Sequence, residues 1–184
     1  MSLKEKAISG FKWSFIDNFT YNLIHFIFGV ILARLIAPSE YGLIGMLTFF
    51  IAISQTLIDS GFTQALIRKK ECTNEDYSTV FYFNLIISLL LYFLLFISAK
   101  FISSFYNESR LNYLLKALSI VLIINAFAIV QRAILTKNIN FKLQTKISFF
   151  SSIASGILGI IFALLGYGAW ALVIKTLSQQ LLST

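Results

Sequence analysis

Apolar runs long enough to cross a bilayer alternate along this chain with short polar connections. The runs cover approximately residues 11–36, 43–67, 79–102, 113–136 and 147–165, and a sixth occupies 169–184. Each approaches or exceeds the ~20 residues that a spanning helix needs. They are continuous, not alternating at period two, which argues against a transmembrane β-barrel. The pattern predicts an all-α, polytopic transmembrane helix bundle in which short connections make neighbours antiparallel. A half-crossed helix cannot satisfy its backbone in lipid, so the sixth run predicts the N-terminal part of a longer protein.

The first run is not uniformly apolar. It carries Ser14, Asp17, Asn18, Tyr21, Asn22 and His25. At ~100° per residue these six, with Gly29, share an arc of roughly 140°. Ionisable groups in hydrocarbon are costly unless they face protein or water. The stripe therefore predicts a helix bordering a polar cavity. In the second run Thr48, Gln55, Asp59 and Thr63 share an arc of roughly 60°, with Thr56 at its edge. Asp17, Asn18, Tyr21, Asn22, His25, Gln55 and Asp59 are thus candidates to line a cavity or couple to an ion. For the neutral members, interhelical hydrogen bonding is an equally good reading. Asp59, near Gly61 and Arg68, also suits a hydrated helix break.

His25 is the sole histidine. It is a candidate proton-coupling group and, equally, a hydrogen-bonded packing residue. One histidine and separated carboxylates assemble no metal site. Arg34 and Arg132 are candidates for an anionic headgroup, because a guanidinium suits diphosphate geometry. Arg34 also fits snorkelling to the membrane surface beside Glu40. Arg132 lies on the same helical face as Asn125. In the fifth run Ser148, Ser152, Ser155, Gly156, Gly159, Ala163 and Gly166 share an arc of roughly 100°, a small-residue face for close helix packing.

Composition agrees with the pattern. Hydrophobic residues make up 58% of the chain and charged residues 12%, about half the charged share of a soluble domain. The net charge of +7 comes from clusters between the runs, which suits cytoplasmic loops and anionic lipid, not nucleic acid. Lys4, Lys6, Lys12, Arg68, Lys69, Lys70, Arg132, Lys137, Lys142 and Lys146 fall on one side; Arg34, Lys100, Arg110 and Lys116 fall on the other. That bias predicts a cytoplasmic N-terminus. The N-terminus lacks the shape of a cleaved signal peptide. Cys72 is the sole cysteine, which excludes an intrachain disulfide.

Four segments carry a family resemblance. Leu32-Ala33-Arg34-Leu35-Ile36-Ala37-Pro38-Ser39-Glu40-Tyr41-Gly42 resembles the turn after the first helix of bacterial polysaccharide flippases. Asp59-Ser60-Gly61-Phe62-Thr63-Gln64-Ala65-Leu66-Ile67 is similar to the end of their second helix. Arg132 to Lys142 resembles their fourth-helix exit, and Gly166-Tyr167-Gly168-Ala169-Trp170-Ala171-Leu172-Val173 their turn before the sixth. The family is that of the Wzx-type oligosaccharide flippases in the multidrug/oligosaccharidyl-lipid/polysaccharide (MOP) exporter superfamily.

The resemblance implies one lobe of a MATE-like transporter whose two pseudo-symmetric lobes enclose a central cavity. It implies that undecaprenyl-diphosphate-linked oligosaccharide is flipped across the bacterial inner membrane by alternating access, for lipopolysaccharide or exopolysaccharide biosynthesis. It also implies no cofactor, coupling to an H+ or Na+ gradient, and partners among membrane lipids, the polysaccharide polymerase and the export machinery. These signatures are turn and packing motifs, so the polar candidates rest on their stripes alone.

The chain offers no HExxH, P-loop or nucleophile–histidine pair, so no catalytic residue is expected. An integral membrane glycosyltransferase or polymerase would be expected to place acidic residues in a sizeable outer loop, and the outer connections here are short. A non-transporting scaffold would have no use for the first stripe.

Overall fold

A computed structural model describes residue 19 and residues 22–58, 61–69, 72–138 and 141–184. Among the described residues there are seven helices and no strand: α1 (Asn22–Leu35), α2 (Pro38–Ile58), α3 (Phe62–Arg68), α4 (Asn74–Phe105), α5 (Arg110–Lys137), α6 (Phe141–Leu164) and α7 (Ala169–Leu182). Four of them (α2, α4, α5 and α6) are long and apolar enough to cross a membrane. The chain is an all-α polytopic bundle.

Several helix limits differ from the sequence expectation, each for a local reason. The turn expected after residue 36 is short, because Pro38 already opens α2; proline suits a first helical position, where its missing N–H is not needed. The second apolar run is not one helix. Among the described residues α2 runs to Ile58, and Gly61 has φ +89°, a left-handed backbone that an α-helix cannot continue through. The separate helix α3 follows.

Helix α4 starts earlier than the apolar run because a capping box fixes it. The Thr73 hydroxyl accepts from the Asp76 amide at 3.3 Å, and the Asp76 carboxylate accepts from the Thr73 amide at 2.9 Å. The basic segment 137–146 is not all loop, since α6 begins at Phe141 and carries Lys142 and Lys146 in its first turns. Lysine is a good helix former, and nothing after Phe141 breaks the helix.

Helix α5 is the centre of the bundle. Leu111, Leu114, Leu115, Leu118 and Leu122 are almost fully buried. Leu47 and Ile58 of α2, Leu66 of α3, Leu95 and Ala99 of α4 and Val173 of α7 join them in one core. A smaller core gathers Leu32 of α1 and Ile36 just after it with Ala163 of α6 and Ala171 and Leu172 of α7. Helix α4 instead exposes Ile86, Leu90, Phe93, Leu94, Ile97 and Phe101, an apolar strip suited to lipid contact.

The small-residue face of α6 packs as expected. A Cβ on Gly156 would lie 2.6 Å from the Phe28 ring of α1, and one on Gly159 would lie 3.1 Å from Cβ of Lys175 on α7. Ser152 and Ser155 on the same face are buried.

The turns sort into two ends. Glu40 binds both Arg110 and the Ala169 backbone amide, so the turns before α2, α5 and α7 meet at one end. The opposite end is marked by Lys69 with Asp76, by Lys137 donating to Cys72 Sγ at 2.9 Å, and by Arg132 with Ser183. Helices α5 and α7 therefore run in the same direction, from the Glu40 end to the Arg132 end.

Candidate functional site

At the Arg132 end, α5, α6 and α7 separate around a cavity of about 450 Å³. Its polar lining includes Arg132 and Thr136 of α5, Gln144 and Ser148 of α6, and Gln179 and Gln180 of α7. These side chains share partners. Asn125 Oδ1 accepts from Arg132 Nη1 at 3.1 Å and from Gln180 Nε2 at 2.9 Å. Arg132 Nη2 donates to Ser183 Oγ at 3.0 Å. Gln144 Nε2 donates to Thr136 Oγ1 at 3.0 Å and reaches the Arg132 carbonyl at 3.4 Å.

Helix periodicity explains the constellation. Asn125 and Arg132 are two turns apart and stack on one face of α5, as their spacing predicts. Gln180 and Ser183, one turn apart, present a matching pair from α7. Carboxamides and hydroxyls both donate and accept, so they can exchange partners with a hydroxylated ligand without burying net charge. The guanidinium adds one cation in a geometry suited to carboxylate or phosphate.

Helix α1 reaches this end through His25, whose Nε2 lies 2.9 Å from Gln179 Nε2. With the amide donating, that imidazole nitrogen accepts and the ring is neutral. His25 thus meets a neighbour on α7 that the sequence pattern did not single out. Asn22 is exposed. Asp17, Asn18, Tyr21 and Asp59 lie outside the described residues.

The structure does not bring the α2 stripe to this cavity. The hydroxyls of Thr48 and Thr56 donate to carbonyls of their own helix, Ile44 at 2.7 Å and Ala52 at 2.9 Å. Gln55 is half-buried and is not part of the cavity lining. Thr63 Oγ1 is buried without a partner among the described residues.

Arg34 does not meet Glu40. It is exposed, and Arg110 takes that place: Arg110 Nη1 lies 2.6 Å from Glu40 Oε1 and Arg110 Nε 2.9 Å from Glu108 Oε1. Arg110 follows the adjacent turn and can reach both carboxylates. Its hydrogen bond and charge hold the exposed Glu108 carboxyl below the usual carboxylate range. No group of three or more metal-ligating side chains gathers among the described residues.

Sequence reasoning missed Gln144, Gln179, Gln180 and Ser183. Two adjacent glutamines in an apolar run were a legible signal. Gln144 was hidden because it fell in an expected loop.

Known proteins give the arrangement a context. Residues 31–184 match the family described as polysaccharide biosynthesis protein. The chain is 30% identical over 165 residues to an uncharacterized membrane protein in the cps region of Klebsiella pneumoniae, covering 90% of this chain and 34% of that one. It is 29% identical over 141 residues to the lipopolysaccharide biosynthesis protein WzxC of Escherichia coli, covering 77% and 29%. It is 26% identical over 160 residues to the succinoglycan biosynthesis transport protein ExoT of Rhizobium meliloti, covering 87% and 32%. The chain spans about a third of the length of these relatives. No solved structure matches it. With most of its length matched by the family and four helices able to cross a membrane, the chain belongs to the polysaccharide biosynthesis protein family as a multi-pass membrane protein.

Proposed function

We propose that the protein takes part in flipping an undecaprenyl-diphosphate-linked oligosaccharide from the cytoplasmic to the outer leaflet of the bacterial inner membrane. The observation that carries this reading is the Arg132 end of the bundle. There an otherwise apolar assembly opens a cavity bordered by carboxamides, hydroxyls and one guanidinium. Sugars need donor–acceptor pairs and a diphosphate needs a cation, and this lining offers both. The names of WzxC and ExoT place those relatives in lipopolysaccharide biosynthesis and succinoglycan transport.

Lys69, Lys137, Lys142 and Lys146 gather at the Arg132 end, so the positive-inside rule faces the cavity to the cytoplasm. That side is where a lipid-linked precursor made in the cytoplasm would enter. Coupling to an H+ or Na+ gradient belongs to the same reading, with Asp17 and His25 as the groups to examine. The protein acts here as a carrier, not an enzyme.

The test is complementation in cells lacking the corresponding transporter. The encoded protein should restore surface polysaccharide, and its loss should leave the lipid-linked precursor in the cytoplasmic leaflet. Precursor that reaches the outer leaflet normally without the protein would overturn the reading.

A further inference from the structure

We infer that Glu40, at the far end of the bundle from the cavity, is a positioning residue that sets the height of α7 against α5. The inference rests on reading the Arg132-end cavity as the transport site. Its geometric part stands on three contacts. Glu40 Oε2 accepts from the Ala169 amide at 2.9 Å, at the first residue of α7. Glu40 Oε1 lies 2.6 Å from Arg110 Nη1, at the first residue of α5. A Cβ on Gly168 would fall 2.9 Å from Glu40 Oε2, so the carboxylate lies hard against the turn that starts α7.

A carboxylate at a helix N-terminus meets unpaired amides and the positive end of the helix dipole. Here the cap comes from another helix, and the same side chain also holds the start of α5. Both helices then run to the other end, where their side chains form the Asn125–Gln180 and Arg132–Ser183 bonds.

Height matters because those bonds tolerate little. Gln180 lies roughly 16 Å along α7 from Ala169 at ~1.5 Å per residue, and a slip of two residues' rise across a 2.9 Å bond stretches it to about 4 Å, out of range. Glu40 supplies a directional contact, and its acceptor oxygen matters more than its charge.

The experiment uses the protein as encoded, in membrane vesicles, with Cys72→Ser and a reporter pair Asn125→Cys and Gln180→Cys bridged by a short bifunctional thiol reagent. Glu40→Ala should lower bridging about fivefold, the population equivalent of one lost helix cap. Glu40→Gln, whose amide oxygen still accepts from Ala169 but whose NH2 cannot accept from Arg110, should lower bridging less than Glu40→Ala does. Glu40→Asp, one methylene shorter, should behave as Glu40→Ala. Export is measured in matched variants that keep Asn125 and Gln180.

Undiminished bridging in Glu40→Ala overturns the inference. So does normal bridging in Glu40→Asp with loss in Glu40→Gln, which would assign the role to charge alone. If Glu40→Ala fails to accumulate, the Gln and Asp variants decide. Lost bridging with unchanged export would keep the positioning role and overturn the cavity as the transport site.

Discussion

At the Glu40 end, one carboxylate joins three turns beside a recess of about 210 Å³; at the Arg132 end, carboxamides and hydroxyls border a cavity of about 450 Å³. Both ends connect the starts or finishes of α5 and α7, yet they use different chemistry. A full charge with a backbone amide and a guanidinium makes a short, directional closure. Carboxamides and hydroxyls make bonds that a ligand can replace with its own, and Arg132 brings a guanidinium to that exchange. The difference teaches which end of a membrane bundle is built to stay shut.

The largest expected effect strikes the open end. Arg132→Ala removes the donors to Asn125 and Ser183 and should lower export roughly tenfold to a hundredfold, the equivalent of a charged hydrogen bond. Protein level in the membrane should hold, and surface polysaccharide at matched expression measures it. Arg132→Lys should recover little, since one ammonium cannot reproduce the guanidinium fork. Full export in Arg132→Ala would make the two ends equivalent as scaffolding.

Next comes a break in the closed end. Gly168→Ala places a Cβ against Glu40 at a backbone with φ +52° and should destabilise by about 1–3 kcal/mol. A thermal melt in detergent reads this. Gly42→Ala is the control, because nothing lies within 4 Å of its Cβ position; in a helix the change should be neutral or stabilising. A smaller effect is expected from Thr73→Ala, which removes one side of the α4 capping box at about 1 kcal/mol. Hydrogen exchange should show it as fraying confined to the first turn of α4.

The smallest effects belong to exposed ion pairs. Lys69→Met, which breaks the exposed pair with Asp76, should shift the melt less than Thr73→Ala does. Glu108 titrates below the usual carboxylate range because of Arg110. Its contribution is therefore present above its unfolded-state pKa and lost as the pH falls through the lowered folded value. A small acid-side decline in the melting temperature, removed by Glu108→Gln, would match that sign.

Much of this comparison could be read from the chain. Continuous apolar runs gave the helices, and the spacing of Asn125 and Arg132 gave a shared face, because both follow from local periodicity. The small-residue face of α6 was legible for the same reason. Partners across the bundle were not. Glu40 was matched with Arg34 by proximity in sequence, whereas the fold supplies Arg110 from a distant turn. Gln144 and Gln180 became site residues only when three helices met. The break at Gly61 was visible as a glycine, but its left-handed backbone was not.

The seat that Gly156 provides for Phe28 has a consequence for how this sequence can vary. With Phe28 Cγ and Cδ2 only 2.6 Å from a Cβ at 156, substitutions at the two positions are coupled. Gly156→Ala alone should be rejected by the bundle. Paired with Phe28→Ala, which removes Cγ and both Cδ atoms, it should be accepted again. A saturation library at 28 in each background would reveal two different sets of tolerated residues. Drift along α1 is thus gated by a residue on α6, and the order in which changes arise decides which lineages stay viable.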